Sequence, residues 1–386
     1  MKKLKVLHFF SSYLNITENW AHQLLYNTPN CDVVVASKKF LRCNFYSKEF
    51  QYIVFPFQQI ENVQNNFSTK LFNRIISYSL KAYPWYVSKV CGKCDLMHSH
   101  FAPIGWHYMK LAKKLNIPHI VSFYGRDYEK LLFHEPIWKK RYQELFREVD
   151  LFFCEGSHGA NKLQKMGCSE NKIVIARLGV DVNQIPYFDR SKRPNELNLL
   201  QIASFREKKG HKFSLQAFMN ALKICPNMTI TFVGPDKQGI KNKLQKQIKS
   251  HNIEQKVSFV DLIDNNKLHS FMKDYHVFIH PSCYTEDRDC EGGAPVVLLD
   301  AQATGMPVIS TTHCDIPDEV IHEQTGLISP ERDINHLTES ILNFYKMGKD
   351  QYSQFASKAR QHIQDNYNIK NNAVFVKQLY NSIANN

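Results

Sequence analysis

No apolar run in the 386 residues approaches the roughly 20 that a membrane-spanning helix needs, which excludes a bundle of such helices. The opening MKKLKVLHFFSSY carries basic residues, but its apolar segment is too short for a secretory signal and reads as a first β-strand. Without an export signal the ten scattered cysteines are expected to be thiols in a reducing, cytoplasmic setting, and the sequons at Asn15, Asn66 and Asn227 to be chance matches. Cys91-Gly-Lys-Cys94 has the CxxC spacing of a zinc half-site or a redox pair, yet no second pair with knuckle spacing follows it. There is no short-period repeat and no low-complexity tract, so solenoids and disordered tails are excluded. Acidic residues are outnumbered, 36 against 49 Lys and Arg, for a formal charge of +13. That excess suits a polyanionic partner such as anionic lipid or a diphosphate; no recognisable nucleic-acid motif accompanies it, so nucleic acid is not expected.

What is present is a chain long enough for two domains, with 43% hydrophobic residues to fill their cores. Short β-branched or aromatic runs alternate with amphipathic stretches. KVLHFF, CDVVVAS, QYIVFPF, DLMHSHF, HIVSFYG and LFFCEG are strand candidates in the first half; LNLLQIAS, MTITFVG, KVSFVDL, HVFIHPS and MPVIST resume the pattern in the second. The alternation predicts βαβ units, an α/β fold with two Rossmann-like domains whose parallel sheets face across a cleft, and ligands at the carboxyl ends of the strands. A polar stretch, Asp189 to Asn198, reads as the linker between residues 1–189 and 190–367. The tail from about 350 is helical in pattern, and its last part, about 368–386, is a candidate to cross back onto the first domain.

The most informative segment runs from His280 to Gly326. A strand leads into an acidic loop, then Gly292-Gly293, then a helix expected to begin near Ala294 and Pro295 and to continue through Val296. A helix start behind glycines offers unpaired N–H donors to a diphosphate, and Pro295 loses nothing in a first turn. Glu291 before the glycines can accept from sugar hydroxyls, and Asp300 inside the helix can reach a ribose. Two carboxylates bracketing a phosphate site match the shape of a nucleotide-sugar.

This segment resembles the donor motif of glycosyltransferase family 4, most closely the branch that builds bacterial exopolysaccharides, including colanic-acid-type enzymes. The resemblance continues through His98-Ser-His100-Phe101, Pro118, Ser122-Phe-Tyr-Gly-Arg-Asp127, Gly179-Val-Asp181 and Glu207-Lys-Lys-Gly210. It implies the GT-B fold, a retaining transfer without a protein nucleophile, no metal and no other cofactor. Lys209 matches the family's phosphate lysine; its arginine position is Ser204 here, and Arg206, two residues on, is a candidate substitute if the strand reaches that far. The second carboxylate of the family motif is the shorter Asp300, one residue further from Glu291 than usual. Tyr124 stands where many relatives carry a histidine near the donor sugar, with Gly125 to admit the ligand and Asp127 to fix the loop or meet the acceptor. His100 and Glu18 are placed on the acceptor side; His98 and His100 share a strand face, with no third metal ligand evident nearby.

Phe133 to Phe146 mixes aromatics with Lys and Arg, either as a surface for anionic lipid or as an ordinary amphipathic core helix. The expected function is transfer of a sugar from a nucleoside diphosphate sugar to a hydroxyl of a growing, lipid-linked glycan, at or near the cytoplasmic face of the inner membrane. The alternatives are a nucleotide-sugar epimerase or phosphorylase of the same fold, and a noncatalytic glycan-binding or scaffolding protein.

Overall fold

Parallel strands covered on both faces are apolar nearly throughout, and the sequence runs above become such strands. The computed structural model describes residues 3–14, 19–37, 39–41, 46–53, 82–190 and 192–385; Glu18 and the end of QYIVFPF lie outside them. Among the described residues, β1 (Leu4–Phe10), β2 (Cys31–Ser37), β3 (Gln51–Ile53), β4 (Leu96–His100), β5 (His119–Ser122), β6 (Leu151–Cys154) and β7 (Ile173–Ile175) form one sheet in the order β3-β2-β1-β4-β5-β6-β7. A second sheet holds β8 (Leu197–Ile202), β9 (Met228–Val233), β10 (Val257–Val260), β11 (Val277–His280), β12 (Val308–Thr311) and β13 (Gly326–Ser329), ordered β10-β9-β8-β11-β12-β13. The neighbours pair in parallel in both. Each sheet grows outward for three strands and then restarts on the other side of its first strand, so the order reverses between β1 and β4 and between β8 and β11. Such reversals are where ligands bind, beyond the carboxyl ends of the strands.

The chain divides into two compact units, Met1–Glu155 with Gly159–Leu178 and Ile369–Asn386, and Gly156–His158 with Gly179–Asn368. On β1, Leu7 and Phe9 enter one apolar cluster while Leu4 and Val6 enter another on the opposite face. The helix Ile369–Ala384 belongs to the latter, with Ile369, Ala373, Val376 and Tyr380 buried at helical spacing beside Leu96, Ile120 and Phe153.

The stretch expected to be a linker is an integral part of the second unit. Arg190 is 6% exposed and donates to the carbonyl oxygens of Tyr275, Thr304 and Met272 and to Thr304 Oγ1. Lys192 is buried against the carbonyls of Tyr345 and Met347. Residues before it are tied down as well, since Arg360 donates to Val182 and Ile185 and Val180 N–H to Tyr367. Polar composition suggested solvent; the cations are there because irregular backbone carbonyls need donors when buried. Arg190→Ala strands several of them at once and is expected to cost on the order of 3 kcal/mol, read as a lowered urea midpoint. A midpoint unchanged from the native protein would restore the linker reading.

A second correction concerns the thiols: Cys91, at the end of the helix Ala82–Cys91, and Cys94 are joined as a disulfide. The CxxC spacing across a helix end brings the two sulfurs together without a metal.

Candidate functional site

The richest cluster of charges lies where the second sheet reverses, in the loops after β8 and β11. Beyond β8 the chain is held by Ala203 N–H to Val233 O and Phe205 N–H to Pro235 O, then makes a short 3-10 turn, Glu207–Lys209. Gly210 ends it at φ +69°, with its Cα so close to the β11 loop that a Cβ would lie 1.9 Å from Pro281 O. Cys283 N–H bonds to Lys208 O across the same contact. The turn therefore delivers Lys208 and Lys209 to the loop that carries Glu291.

Lys209 Nζ is 2.7 Å from Glu291 Oε2, and Lys208 Nζ is 3.8 Å from the same oxygen. Ser282 donates to Glu291 Oε1 at 2.9 Å, and His280 Nε2 lies 3.7 Å away with neither ring nitrogen hydrogen-bonded. Asp289 pairs with both Arg206, at 2.5 Å, and Lys208, at 3.3 Å. Burial alone would raise the Glu291 pKa, but Lys209 and Lys208 outweigh it and hold the carboxyl well below its usual range. Burial lowers Lys209, against the pull of Glu291. Glu291 is thus a permanent acceptor, and three cations face two carboxylates, leaving a positive surplus for an anionic ligand.

Glu291 is fixed through its backbone too. Its N–H points at His313 Nε2, 3.0 Å away, and His313 Nδ1 lies 2.7 Å from Glu331 Oε1. Glu331 Oε2 in turn accepts Tyr284 N–H. Nε2 also lies 3.3 Å from Cys314 Sγ; burial opposes the charged ring, but Cys314 and Glu331 outweigh it and raise the pKa to about 9, and neighbours at both nitrogens fix the orientation of the ring.

Gly292, at φ +90°, makes the turn that an L side chain would strain, and Gly293 O accepts Asp315 N–H. The helix expected from Ala294 is Val297–Ala303; Pro295 and Val296 make its opening turn through bonds to Leu298 and Leu299 N–H, and Ala294 precedes it. Asp300 is engaged by His269 Nε2 at 2.8 Å. Ser204 lies half-buried in the loop after β8. Arg206 does not share a strand face with it, because β8 ends at Ile202; Arg206 is exposed and reaches the site's edge through Asp289.

The other expected residues belong to the first unit. His100 and Tyr124 are joined, Nδ1 to hydroxyl, at 3.2 Å, and Trp20 packs on Tyr124 with ring centroids 4.5 Å apart. His8, on β1, supplies the third imidazole that sequence reasoning did not find, and nitrogens of His8, His98 and His100 lie within 4.8 Å of one another. His98 is held at both nitrogens, by Tyr380 and Ser122. The arrangement is a hydrogen-bonded network first.

Gly125 opens the short helix Gly125–Tyr128. Asp127 is 1% exposed, and one of its oxygens, Oδ2, accepts both Ala102 N–H and Tyr124 N–H at 3.1 Å, so it fixes the loop rather than meeting a ligand. Burial raises its pKa from 3.8 to about 7. A carboxyl that holds its proton more tightly when folded takes stability away as pH rises from about 4 to about 7. Asp127→Asn keeps an oxygen acceptor and is expected to lose that pH slope, whereas Asp127→Ala strands two N–H groups at about 1–3 kcal/mol each. Urea midpoints at pH 5 and pH 8 measure both effects; an Asn variant with the native slope would contradict the assignment.

Phe133–Phe146 resolves into two helices, Lys130–His134 and Ile137–Glu148, with Trp138, Tyr142, Leu145 and Phe146 buried, as a core helix requires. Phe133 and Ile137 remain more than half exposed. No helix among the described residues is long and apolar enough to cross a membrane. Lys208, Ser282, Asp289, His313 and Glu331 are site residues that motif reading passed over. Lys208 stood in the Glu207-Lys-Lys-Gly210 motif, and Ser282, Asp289 and His313 in the His280–Gly326 segment; Glu331 lay outside both.

With this geometry in place, comparison with known proteins is direct. Residues 186–362 match the sequence model for glycosyl transferases group 1, and residues 29–184 match that for glycosyltransferase family 4. The chain is 28% identical over 294 residues to WcaL of Escherichia coli (strain K12), named a colanic acid biosynthesis glycosyltransferase, covering 73% of this chain and 70% of that one. It is 28% identical over 252 residues to AmsK of Erwinia amylovora, an amylovoran biosynthesis glycosyltransferase, covering 64% and 60%. The fold is shared with Anabaena HepE, solved in complex with UDP and glucose, at TM-score 0.72, 14% identity and coverage of 98% and 100%.

Proposed function

From the premise that the chain belongs to glycosyltransferase family 4 and has its two-sheet GT-B architecture, we propose that it moves a hexose-type unit from a nucleoside diphosphate sugar to a hydroxyl of a growing, lipid-linked bacterial surface polysaccharide, with retention of configuration. The observation that carries the donor half is the Lys209–Glu291 pair at the reversal of the second sheet. A donor has negative charge in its diphosphate and hydroxyls on its sugar. Lys209, with Lys208 and Arg206 behind it, meets the first; Glu291, already ionised, meets the second. Gly292, Gly293, Ala294, Pro295 and Val296 bring backbone close to the phosphates, Ser204 sits beside Lys209's loop, and Asp300 with His269 faces the ribose.

As the donor bond breaks, charge accumulates on the leaving diphosphate, and fixed cations stabilise it more than they stabilise the bound substrate. Because side chains supply that charge, transfer is expected to continue in EDTA; its abolition there would overturn the metal-free assignment. Tyr124 is assigned to the donor sugar and Gly125 to the acceptor side; His100, expected on the acceptor side, is fully buried with both ring nitrogens bonded and stands behind Tyr124. Glu18 shares the acceptor-side assignment from its sequence position alone. The exopolysaccharide acceptor is supported by the names of WcaL and AmsK. Peripheral attachment to an anionic membrane is supported by the +13 charge and by Phe133 and Ile137, exposed next to Lys139 and Lys140.

The test is a panel of nucleoside diphosphate sugars, scored for thermal stabilisation and for nucleoside diphosphate release with and without a membrane lipid extract. One donor giving both stabilisation and acceptor-dependent release is the expected result. A folded protein that responds to none of them would support a noncatalytic glycan-binding role instead.

A further inference from the structure

At the reversal of the first sheet, one face carries a continuous line of polar side chains. His8 pairs in register with His98, and His100 with Ser122, so parallel alignment brings their side chains to the same face along with Tyr124, two residues beyond Ser122. His8 Nδ1 is 3.1 Å from His100 Nε2, and His100 Nδ1 is 3.2 Å from the Tyr124 hydroxyl. His8 is 2% and His100 0% exposed, and His100 lies flat on Phe10 with centroids 4.1 Å apart and planes at 5°. Burial holds both imidazoles below their usual pKa, so each is neutral and has one donor and one acceptor nitrogen.

A line of two neutral imidazoles has only two consistent settings. In one, the Tyr124 O–H donates to His100 Nδ1, His100 Nε2–H donates to His8 Nδ1, and the outward side of the tyrosine oxygen can only accept. In the other, His8 Nδ1–H donates to His100 Nε2, His100 Nδ1–H donates to the tyrosine oxygen, and the phenolic hydrogen is turned outward to donate. A donor at both ends or an acceptor at both ends of His100 would need a charged ring, which its burial opposes.

We propose that His8 and His100 are positioning residues that fix, through their shared tautomeric setting, whether the Tyr124 hydroxyl donates to or accepts from the sugar bound against it. This rests on the placement of Tyr124 at the donor sugar. His8 acts two hydrogen bonds away from the Tyr124 hydroxyl, and three from the ligand. Strand β1 thus takes part in sugar recognition through β4, and a change at position 8 is felt as a change in the direction of one hydrogen bond.

The test uses the full chain with His8→Phe, His8→Asn, Tyr124→Phe and the His8→Phe/Tyr124→Phe double variant, each checked for native thermal unfolding. His8→Phe keeps the ring but has no nitrogen, and is expected to lower kcat about tenfold, the worth of one directed hydrogen bond. His8→Asn offers an amide near the Nδ1 position and is expected to recover to within about threefold of the native rate. In the Tyr124→Phe background His8→Phe is expected to add nothing, because the hydroxyl it acts on is gone. Additive losses in the double variant, or a silent His8→Phe beside an impaired Tyr124→Phe, overturn the relay while leaving Tyr124 at the sugar. A silent Tyr124→Phe overturns both.

An arm independent of turnover uses 15N-histidine labelling. Tyr124→Phe is expected to move the ring nitrogen resonances of both His100 and His8; movement of His100 alone overturns the coupling. Metal analysis of the purified protein closes the remaining route: one equivalent of zinc displaced by His98→Ala would mean that the nitrogens face an ion, and overturns the proposal.

Discussion

Lys209→Ala is expected to lower kcat by about 10²–10³-fold, the usual cost of removing one preorganised group from a developing negative charge. Its Nζ is the nearest cation to Glu291 and the side chain is largely buried, so water does not replace it. Removing it also leaves Glu291 with Ser282 and the more distant Lys208, and breaking a buried pair on one side costs about 3–5 kcal/mol. A loss of activity alone would therefore not separate catalysis from folding. The double variant Lys209→Met/Glu291→Gln does so. It removes both charges at nearly constant volume, is expected to regain most of the lost stability, and should remain as inactive as the single variant. Arg206→Ala is expected to cost far less, since the guanidinium is exposed and reaches the site only through Asp289. Near-native turnover of Lys209→Met, in a folded protein, would sink the phosphate role assigned to this lysine.

The strands that sequence patterning found sit in β-branched or aromatic runs of six to eight residues, whether central and buried like β4 and β12 or at a sheet edge like β3 and β10. The two it missed, β7 and β13, are three and four residues long, and a run such as Ile173–Ile175 is too short to show a period. The linker assignment failed for a related reason. Arg190 and Lys192 look like solvated charges in sequence, and nothing local shows that distant carbonyls at Tyr275, Thr304 and Tyr345 need their donors. In the site, Glu291, Lys209 and the glycines were legible because they belong to compact motifs. His313 and Glu331 were not, being 22 and 40 residues beyond Glu291 and joined to it through an N–H that points at one ring nitrogen. His8 was hidden in the same way: its partner His100 is 92 residues on, and only strand register brings them together.

Gly210→Ala should be among the most damaging single methyl groups that can be added to this chain. Two costs combine there. At φ +69° an alanine is strained by about 1–2 kcal/mol, and its Cβ would sit 1.9 Å from Pro281 O and 2.8 Å from Pro281 C, backbone atoms that no side-chain rotation can move aside. Relief requires the loops after β8 and β11 to separate, which breaks the bond from Cys283 N–H to Lys208 O and withdraws Lys209 from Glu291. A total loss above about 4 kcal/mol is expected, together with loss of stabilisation by nucleotide-sugars. Gly239 supplies the control, since its φ of +68° is nearly the same but a Cβ there meets nothing within 4 Å. Gly239→Ala should therefore show the backbone cost alone, about 1–2 kcal/mol, with donor response intact. Gly348, with open space and no positive φ, should tolerate alanine at almost no cost. Urea midpoints that fall in this order would establish the pressed loops as what holds the two charged segments together. Equal losses for Gly210→Ala and Gly239→Ala would show that the loops yield and that the Lys209–Glu291 pair does not depend on their contact.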